Sequence, residues 1–359
     1  LGHGFWITLL LGSVCLAFAV NRDRSKQAIK ALPLAFTLAV PLALSGWLYA
    51  FVAMPLQPPD EPIPSPNYYS ELRKLADSWS NLKVPRKEFD SEQVRRQFAS
   101  DHRAEIAELR RLAHASTWVV LEYKEDNLET LTVHLNPRQL AFGLENAALG
   151  QPAVTRAQIG LEMILLGDRL CHGGLFIDYL MATVHTERGV RLLHEAIAEL
   201  SEAECQALLR QLPQLETTRE SIDVVSRRDL IWCLYDGWEA RAQYAGERLI
   251  GEDSIASVAR STSVQQQRRI TWLRLLQLEL ALRMYQHQHE RYPKALDELA
   301  PNTLATLPLD PFSGKPFLYR MSGDSYVLYS VGPNGIDDGG ALVSSITDDG
   351  DQMFGEAPE

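Results

Sequence analysis

The most constraining feature of this chain is a stretch from Ala31 to Met54, 24 residues without one charged side chain. A helix rises about 1.5 Å per residue, so the run reaches roughly 36 Å, more than a hydrocarbon core of ~30 Å. Pro41 within it suits a membrane helix, where neighbouring helices re-satisfy the freed backbone groups, better than a soluble core helix. Trp47 and Tyr49 near its far end suit the interfacial belt. A shorter apolar run, Phe5 to Val20, comes first, and Arg22, Arg24, Lys26 and Lys30 stand between the two against a lone Asp23. That excess of positive charge assigns the connecting loop to the cytoplasm. Residues 1–54 are expected to form an integral membrane hairpin, with helices about 5–20 and 31–54. Everything after residue 54 then lies outside the cytoplasm.

The remaining three hundred residues or so are enough to bury a core. The whole chain of 359 residues is 46% hydrophobic and 23% charged, which excludes a mainly disordered chain, and four cysteines are too few for a disulfide-stapled scaffold. The balance of 35 basic against 46 acidic residues excludes the cationic stripe of a nucleic-acid binder. Cys171, Cys205 and Cys233 have no CxxC spacing and read as buried structural residues.

Six prolines, Pro55, Pro58, Pro59, Pro62, Pro64 and Pro66, fall within twelve residues. Their fixed backbone angle favours an extended tether over 55–66, holding the next domain off the bilayer. Residues 67–260 read as short helices stacked into a bundle or a solenoid-like array, broken at Gly150 and Pro152 and again at Gly173-Gly174. Leu109, Leu112 and Ala113 recur at helical spacing. Ser201-Glu202-Ala203-Glu204 has the spacing of a capping box, opening a helix whose apolar face is Leu208, Leu209 and Leu212. A brief β-rich piece is expected around Trp118 to Tyr123.

Residues 261–359 change character. A long helix is expected from Arg260 to about Glu290, with Ile270, Leu273, Leu276, Leu280 and Met284 on one face and Arg268, Arg269, Arg274 and Arg283 interrupting it. Tyr292-Pro293 ends it. Phe317-Leu318-Tyr319 and Tyr326-Val327-Leu328-Tyr329 then read as two antiparallel strands joined through Gly323-Asp324. From Met321 to Glu359 there is no Lys or Arg but there are eight acidic residues, densest in Asn334-Gly335-Ile336-Asp337-Asp338-Gly339-Gly340 and Asp348-Asp349-Gly350-Asp351. Carboxylates crowded without counter-charge repel one another, and a hard divalent cation with oxygen ligands at ~2.3–2.6 Å would remove that repulsion. The spacing is not that of an EF-hand.

Five motifs in this half are familiar in their order. They are Arg291-Tyr292-Pro293, then Leu296 with Leu299, then Leu307-Pro308-Leu309-Asp310-Pro311-Phe312. Gly314-Lys315-Pro316-Phe317-Leu318-Tyr319 comes next, and then Ser330-Val331-Gly332-Pro333-Asn334-Gly335. From Thr271 to Phe354 the chain resembles the major pseudopilin of type II secretion systems (the protein G-like family). The resemblance implies an α+β domain in which a long helix packs on a small antiparallel sheet, with calcium held in the final loop. Carried over position by position, it implies calcium ligands at Asn334, Asp348 and Asp351, with Asp337, Asp338 and Asp349 as nearby substitutes. Tyr292, Pro293, Asp310, Pro311, Gly332 and Gly335 carry the structural motif. Asn334 stands where the family has an aspartate, and Leu9 stands where a pilin leader would place its glutamate. The long helix is also too polar for a pilus core, so a pilus subunit is not expected.

No catalytic set is assembled by motif. Ser80-Asn81-Leu82-Lys83 matches the serine-x-x-lysine pattern without its companions. His287 and His289 lie on different faces of one helix. Cys171-His172 are adjacent and diverge, and Trp232, Tyr235 and Trp238 with Arg241 form an aromatic stripe of core or interface type. The expected fold is therefore mainly α: a membrane hairpin, a helical domain and a pseudopilin-like α+β tail. The expected role is a structural or interaction protein of the bacterial cell membrane, largely periplasmic and working with other envelope proteins, without nucleic acid. An extracytoplasmic hydrolase built around His172 or His185, and a membrane-linked sensor, are the alternatives.

Overall fold

The computed structural model describes residues 56–124, 137–249, 254–340 and 350–353, together with residues 43, 45–47, 49 and 50. The expected hairpin therefore lies outside the described residues except for those six positions. Among the described residues no helix is long and apolar enough to cross a membrane. The described chain is mainly helical, with eleven helices and one two-stranded sheet.

In chain order the helices begin with α1 (Tyr69–Ser80), α2 (Glu92–Asp101), α3 (Arg103–Ala113) and α4 (Pro137–Ala148). A hairpin of α5 (Ala153–Cys171) and α6 (Phe176–Ile197) comes next, then α7 (Glu202–Leu209) and α8 (Leu212–Leu215). The helices α9 (Ile222–Tyr235), α10 (Trp238–Leu249) and α11 (Ser254–His289) complete the series. The chain forms two compact units.

The smaller unit draws on residues 1–59, 122–132 and 230–256, and so holds α10. Within it the Trp232 indole N–H donates to the Glu122 carbonyl (3.1 Å) and the Tyr235 hydroxyl to the Leu56 carbonyl (2.7 Å). The rings of Tyr123 and Tyr235 meet edge to face at 5.4 Å. Trp232 is buried and Trp238 is 67% exposed, so the aromatic stripe divides between core and surface.

The larger unit draws on residues 60–121, 133–229 and 257–359. Its α5–α6 pairing depends on glycine. A methyl group built on Gly160 would lie 2.6 Å from the Gly189 carbonyl oxygen, and one on Gly189 would lie 2.5 Å from that of Gly160. Two helix backbones therefore touch where side chains would hold them apart.

The capping signal at Ser201 acts as its spacing implies, whereas two other local expectations do not hold. Ser201 caps α7, its hydroxyl accepting from the Glu204 N–H while the Glu204 carboxylate accepts from the Ser201 N–H at 2.8 Å. The Trp118 segment, expected to be β-rich, forms no strand among the described residues and is held instead by bonds to neighbouring loops. Asn67 holds it from one side, exchanging two 2.9 Å bonds with the Trp118 backbone, and the Val119 N–H donates to the His172 carbonyl. The second half of the proline run is docked, because Glu61 grips the fully buried guanidinium of Arg228 at 2.8 Å.

Three apolar clusters make the core of the larger unit. One gathers α1, α3, α4 and one side of α5 around Leu72, Trp79, Leu109, Leu144 and Met163. The second joins the other side of α5 to α6, α7, α8 and α11 through Ile164, Leu193, Leu208, Leu273 and Leu276. The third packs Leu278, Leu282 and Tyr285 of α11 on Leu296, Leu299, Phe317 and Leu328. Helix α11 is thus buried on two faces rather than on the one apolar face expected, because it is shared between the helical array and the C-terminal segment. It begins at Ser254, and Glu290 closes it in the left-handed conformation (φ 58°).

Strands β1 (Leu318–Ser322) and β2 (Ser325–Tyr329) pair antiparallel with Leu318 opposite Tyr329. Gly323 supplies the positive φ that a two-residue hairpin turn needs. After β2 the chain turns away and returns, so that Ser330 pairs with Gln352 in an isolated bridge.

Candidate functional site

The C-terminal loop is built on Asp310. Its buried carboxylate accepts from the Phe312 N–H (3.0 Å) and the Ser330 hydroxyl (2.8 Å) through Oδ1, and from the Ser313 hydroxyl and the Val331 N–H (both 3.2 Å) through Oδ2. The turn at Asp310-Pro311 is thereby stapled to the end of β2. Tyr292 packs edge to face on Tyr326 at 4.8 Å, and the Pro293 carbonyl accepts from the Tyr319 hydroxyl at 2.7 Å, tying the end of α11 to the sheet. Gly332 and Gly335 both take positive φ, and the Gly335 N–H donates to the Gly332 carbonyl.

The four candidate metal ligands meet different fates. Asn334 is exposed; its amide oxygen accepts from the Ile336 N–H and its amide nitrogen donates to Asp338 at 3.0 Å. Asp337 accepts from the Tyr329 hydroxyl and the Gly339 N–H, each at 2.9 Å. Asp348 lies outside the described residues, as does Asp349. Asp351 is fully buried, carried inward by the bridge between Ser330 and Gln352. One of its oxygens accepts from the Gly340 N–H at 2.7 Å, and the other, Oδ1, is buried with no hydrogen-bond partner among the described residues. Burial holds its carboxyl above the ordinary range, the N–H groups of Gly340 and Asp338 pull it down, and the nearby Asp338 and Asp337 push it up again. Among the described residues no group of three His, Cys, Asp or Glu side chains is placed to hold a metal ion. The donor chemistry is nonetheless that of a hard cation: oxygen only, acidic, with one buried oxygen uncommitted.

A second charged centre, which the sequence reading does not single out, lies inside the helical array. Asp168 on α5 is completely buried and accepts from Arg219 Nε (2.8 Å), from Arg269 Nη2 on α11 (2.7 Å) and from the Thr218 hydroxyl. Arg219 also donates to the Thr186 hydroxyl on α6 and lies 4.9 Å from the centroid of the Tyr179 ring. Burial alone would raise the Asp168 carboxyl, but Arg269 and Arg219 outweigh it and hold the group below the usual carboxylate range. Three segments distant in sequence meet at one carboxylate, and Arg219 ties α6 to them through Thr186. The signals that point to it are the acidic Asp168 following the apolar Met163–Gly167 and two adjacent arginines in the long final helix.

The enzyme-like motifs do not converge on an open site. Cys171 is buried and its thiol is pushed up by burial to about 12, so it stays protonated and unreactive. The His172 ring donates to the Thr218 carbonyl, beside the sealed Asp168 centre. His185 is fully buried. Ser80 donates to the Asp77 carbonyl at the end of α1. The His287 ring donates to the Leu200 carbonyl, whereas His289 stacks on Tyr285, so the two diverge as their spacing implies. Cys171 and Cys205 are buried thiols outside any disulfide. Compared with known protein families, with curated proteins and with solved structures, the chain matches none.

Proposed function

We propose that this protein is a membrane-held structural or interaction protein of the bacterial cell envelope, whose C-terminal domain is closed by calcium rather than devoted to catalysis. The membrane-length run Ala31–Met54 and the motif order from Arg291 to Gly335 support the location and the class. The observation that carries the calcium reading is Asp351: a fully buried carboxylate with one oxygen unpartnered among the described residues, next to two further carboxylates and within a segment free of Lys and Arg. Leaving such an oxygen unsatisfied costs free energy, on the order of 1–3 kcal/mol or more for a charged group. A hard cation offsets that cost and the mutual repulsion together. Asp351 would supply the uncommitted oxygen, Asp337 and Asn334 the loop oxygens, and Asp348 the remaining carboxylate.

Thermal unfolding of the full chain in detergent, in millimolar calcium chloride and in excess EGTA, tests this. Calcium at about a hundred times its Kd adds roughly 2.7 kcal/mol, so the melting temperature rises by several degrees. Asp351→Asn abolishes the difference. Coincident melting curves in calcium and EGTA would refute the metal reading. Proteolytic shaving of sealed vesicles tests the location independently: a protected C-terminal portion in right-side-out vesicles is expected only if the domain is cytoplasmic, which would overturn it.

A further inference from the structure

The larger unit contains a cleft of about 500 Å³, within the range of small-molecule sites. Seven cationic side chains and four glutamates line it, in a protein whose net charge is −11. The cations fall into two kinds. Arg188 is held bidentate by Glu145 (2.8 Å to each oxygen), Lys87 pairs with Glu195, Arg191 with Glu187, and Arg156 with Glu199. Arg86, Arg95 and Arg138 have no carboxylate within ion-pair distance among the described residues.

Those three come from different elements: the turn before α2, α2 itself and the start of α4. Arg95 is 7% exposed and is aimed by its neighbours. Its Nε donates to the Asn146 amide oxygen at 2.7 Å, and Asn146 is itself fixed to the Pro85 carbonyl, which leaves both terminal nitrogens of Arg95 without a partner among the described residues. Arg86 lies over the Phe142 ring, 4.6 Å from its centroid, and Arg188 lies over the same ring at 4.3 Å. Arg95 makes no ion pair of its own among the described residues and is acted on by Glu145, which Arg188 already holds, whereas the other arginines of this cleft apart from Arg86 and Arg138 are paired. Three planar forks without an ion pair among the described residues line one cleft from three elements, beside Glu88, and suit an oxyanion with three terminal oxygens, since guanidinium binds phosphate oxygens two at a time. Phe142, Leu149, Val184 and Leu192 add apolar wall for an organic body.

We propose that this cleft is a binding site for a phosphate monoester, whose phosphoryl oxygens are taken by Arg86, Arg95 and Arg138 while its organic part lies along Leu149, Val184 and Leu192. The site is independent of the C-terminal loop.

Isothermal titration of the full chain at low ionic strength with phenyl phosphate tests it, with benzoate as the monoanionic control. Flotation with phosphatidic-acid vesicles against phosphatidylcholine vesicles shows whether the ester is a soluble molecule or a lipid headgroup. Phenyl phosphate is expected to bind, and benzoate at least about tenfold more weakly, as the loss of charge-assisted hydrogen bonds implies. The double variant Arg86→Gln/Arg138→Gln removes two guanidiniums that make no ion pair among the described residues, so its melting temperature should stay near that of the parent while affinity falls tenfold or more. Flotation lost in this variant and competed by phenyl phosphate supports the same site with a lipid source. No heat with phenyl phosphate together with no variant-sensitive flotation overturns the proposal, as does equal binding of benzoate or undiminished binding by the double variant.

Discussion

Asp168 and Asp351 are both completely buried, yet their surroundings drive them in opposite directions. Asp168 sits among two guanidiniums and a hydroxyl, every contact favours its ionised form, and its carboxyl is held low. Asp351 has one oxygen committed to a backbone donor, one with no partner among the described residues and two like charges nearby, and its carboxyl is held high. Burial sets the cost of the charge in both places; the neighbours decide whether that cost is met from within the chain. Asp168 is complete and, with Arg219, makes four segments one structure. Asp351 keeps one oxygen without a partner among the described residues, and the proposed calcium ion would bind there.

Removing each carboxylate in turn puts the contrast under the greatest strain. Asp168→Ala leaves Arg219 and Arg269 buried beside each other without counter-charge, and a loss of about 3–5 kcal/mol is expected from urea denaturation. Asp351→Asn in EGTA removes an uncompensated charge while keeping the shape, so the change should stay within about 1 kcal/mol of the parent. Comparable losses from the two substitutions would show that equal burial means equal roles.

The pH dependences should have opposite signs. Asp168 is depressed in the folded state, so its contribution is present above the unfolded aspartate value of about 3.9 and is lost as pH falls through the lower folded value. Asp351 is raised, so in EGTA its penalty is absent below the unfolded value, grows as pH rises through it and is complete above the folded value. Stability measured from about pH 3 to pH 6 for the parent, Asp168→Asn and Asp351→Asn separates them. If both variants flatten the profile in the same direction, the assigned environments are wrong.

A milder pair supplies the scale between these extremes. His194 on α6 donates to Glu279 on α11 at 2.7 Å. Burial lowers the histidine, but Glu279 outweighs it and the imidazole is held above its ordinary value. Its contribution is therefore complete below the unfolded histidine value of about 6.5 and is lost as pH rises through the folded value. His194→Gln should cost about 1 kcal/mol near pH 6 and less near pH 9. An effect that grows towards alkaline pH would contradict the assignment.

Legibility in the sequence tracks the range of the interactions. The Ser201–Glu204 cap, the chain breaks at Gly150 and Gly173, the hairpin through Gly323 and the long final helix are each decided by residues within a few positions, and the structure carries them all. The acidic loop is visible as composition, but the return of the chain to Ser330, which buries Asp351 and leaves Asn334 exposed, is not. The Asp168 centre and the Arg95 cleft show in the sequence only as isolated charges, because a charge in an apolar helix does not announce which distant partner will meet it.

The order of residues along the chain dictates where the helices run and where they stop, because caps, glycines and apolar periodicity act through near neighbours. Packing alone settles which arginines are neutralised and which are left over, and which aspartate is complete. Charge pairing depends on distance in space, and Asp168 and Arg269 meet at 2.7 Å only after α5 and α11 have packed.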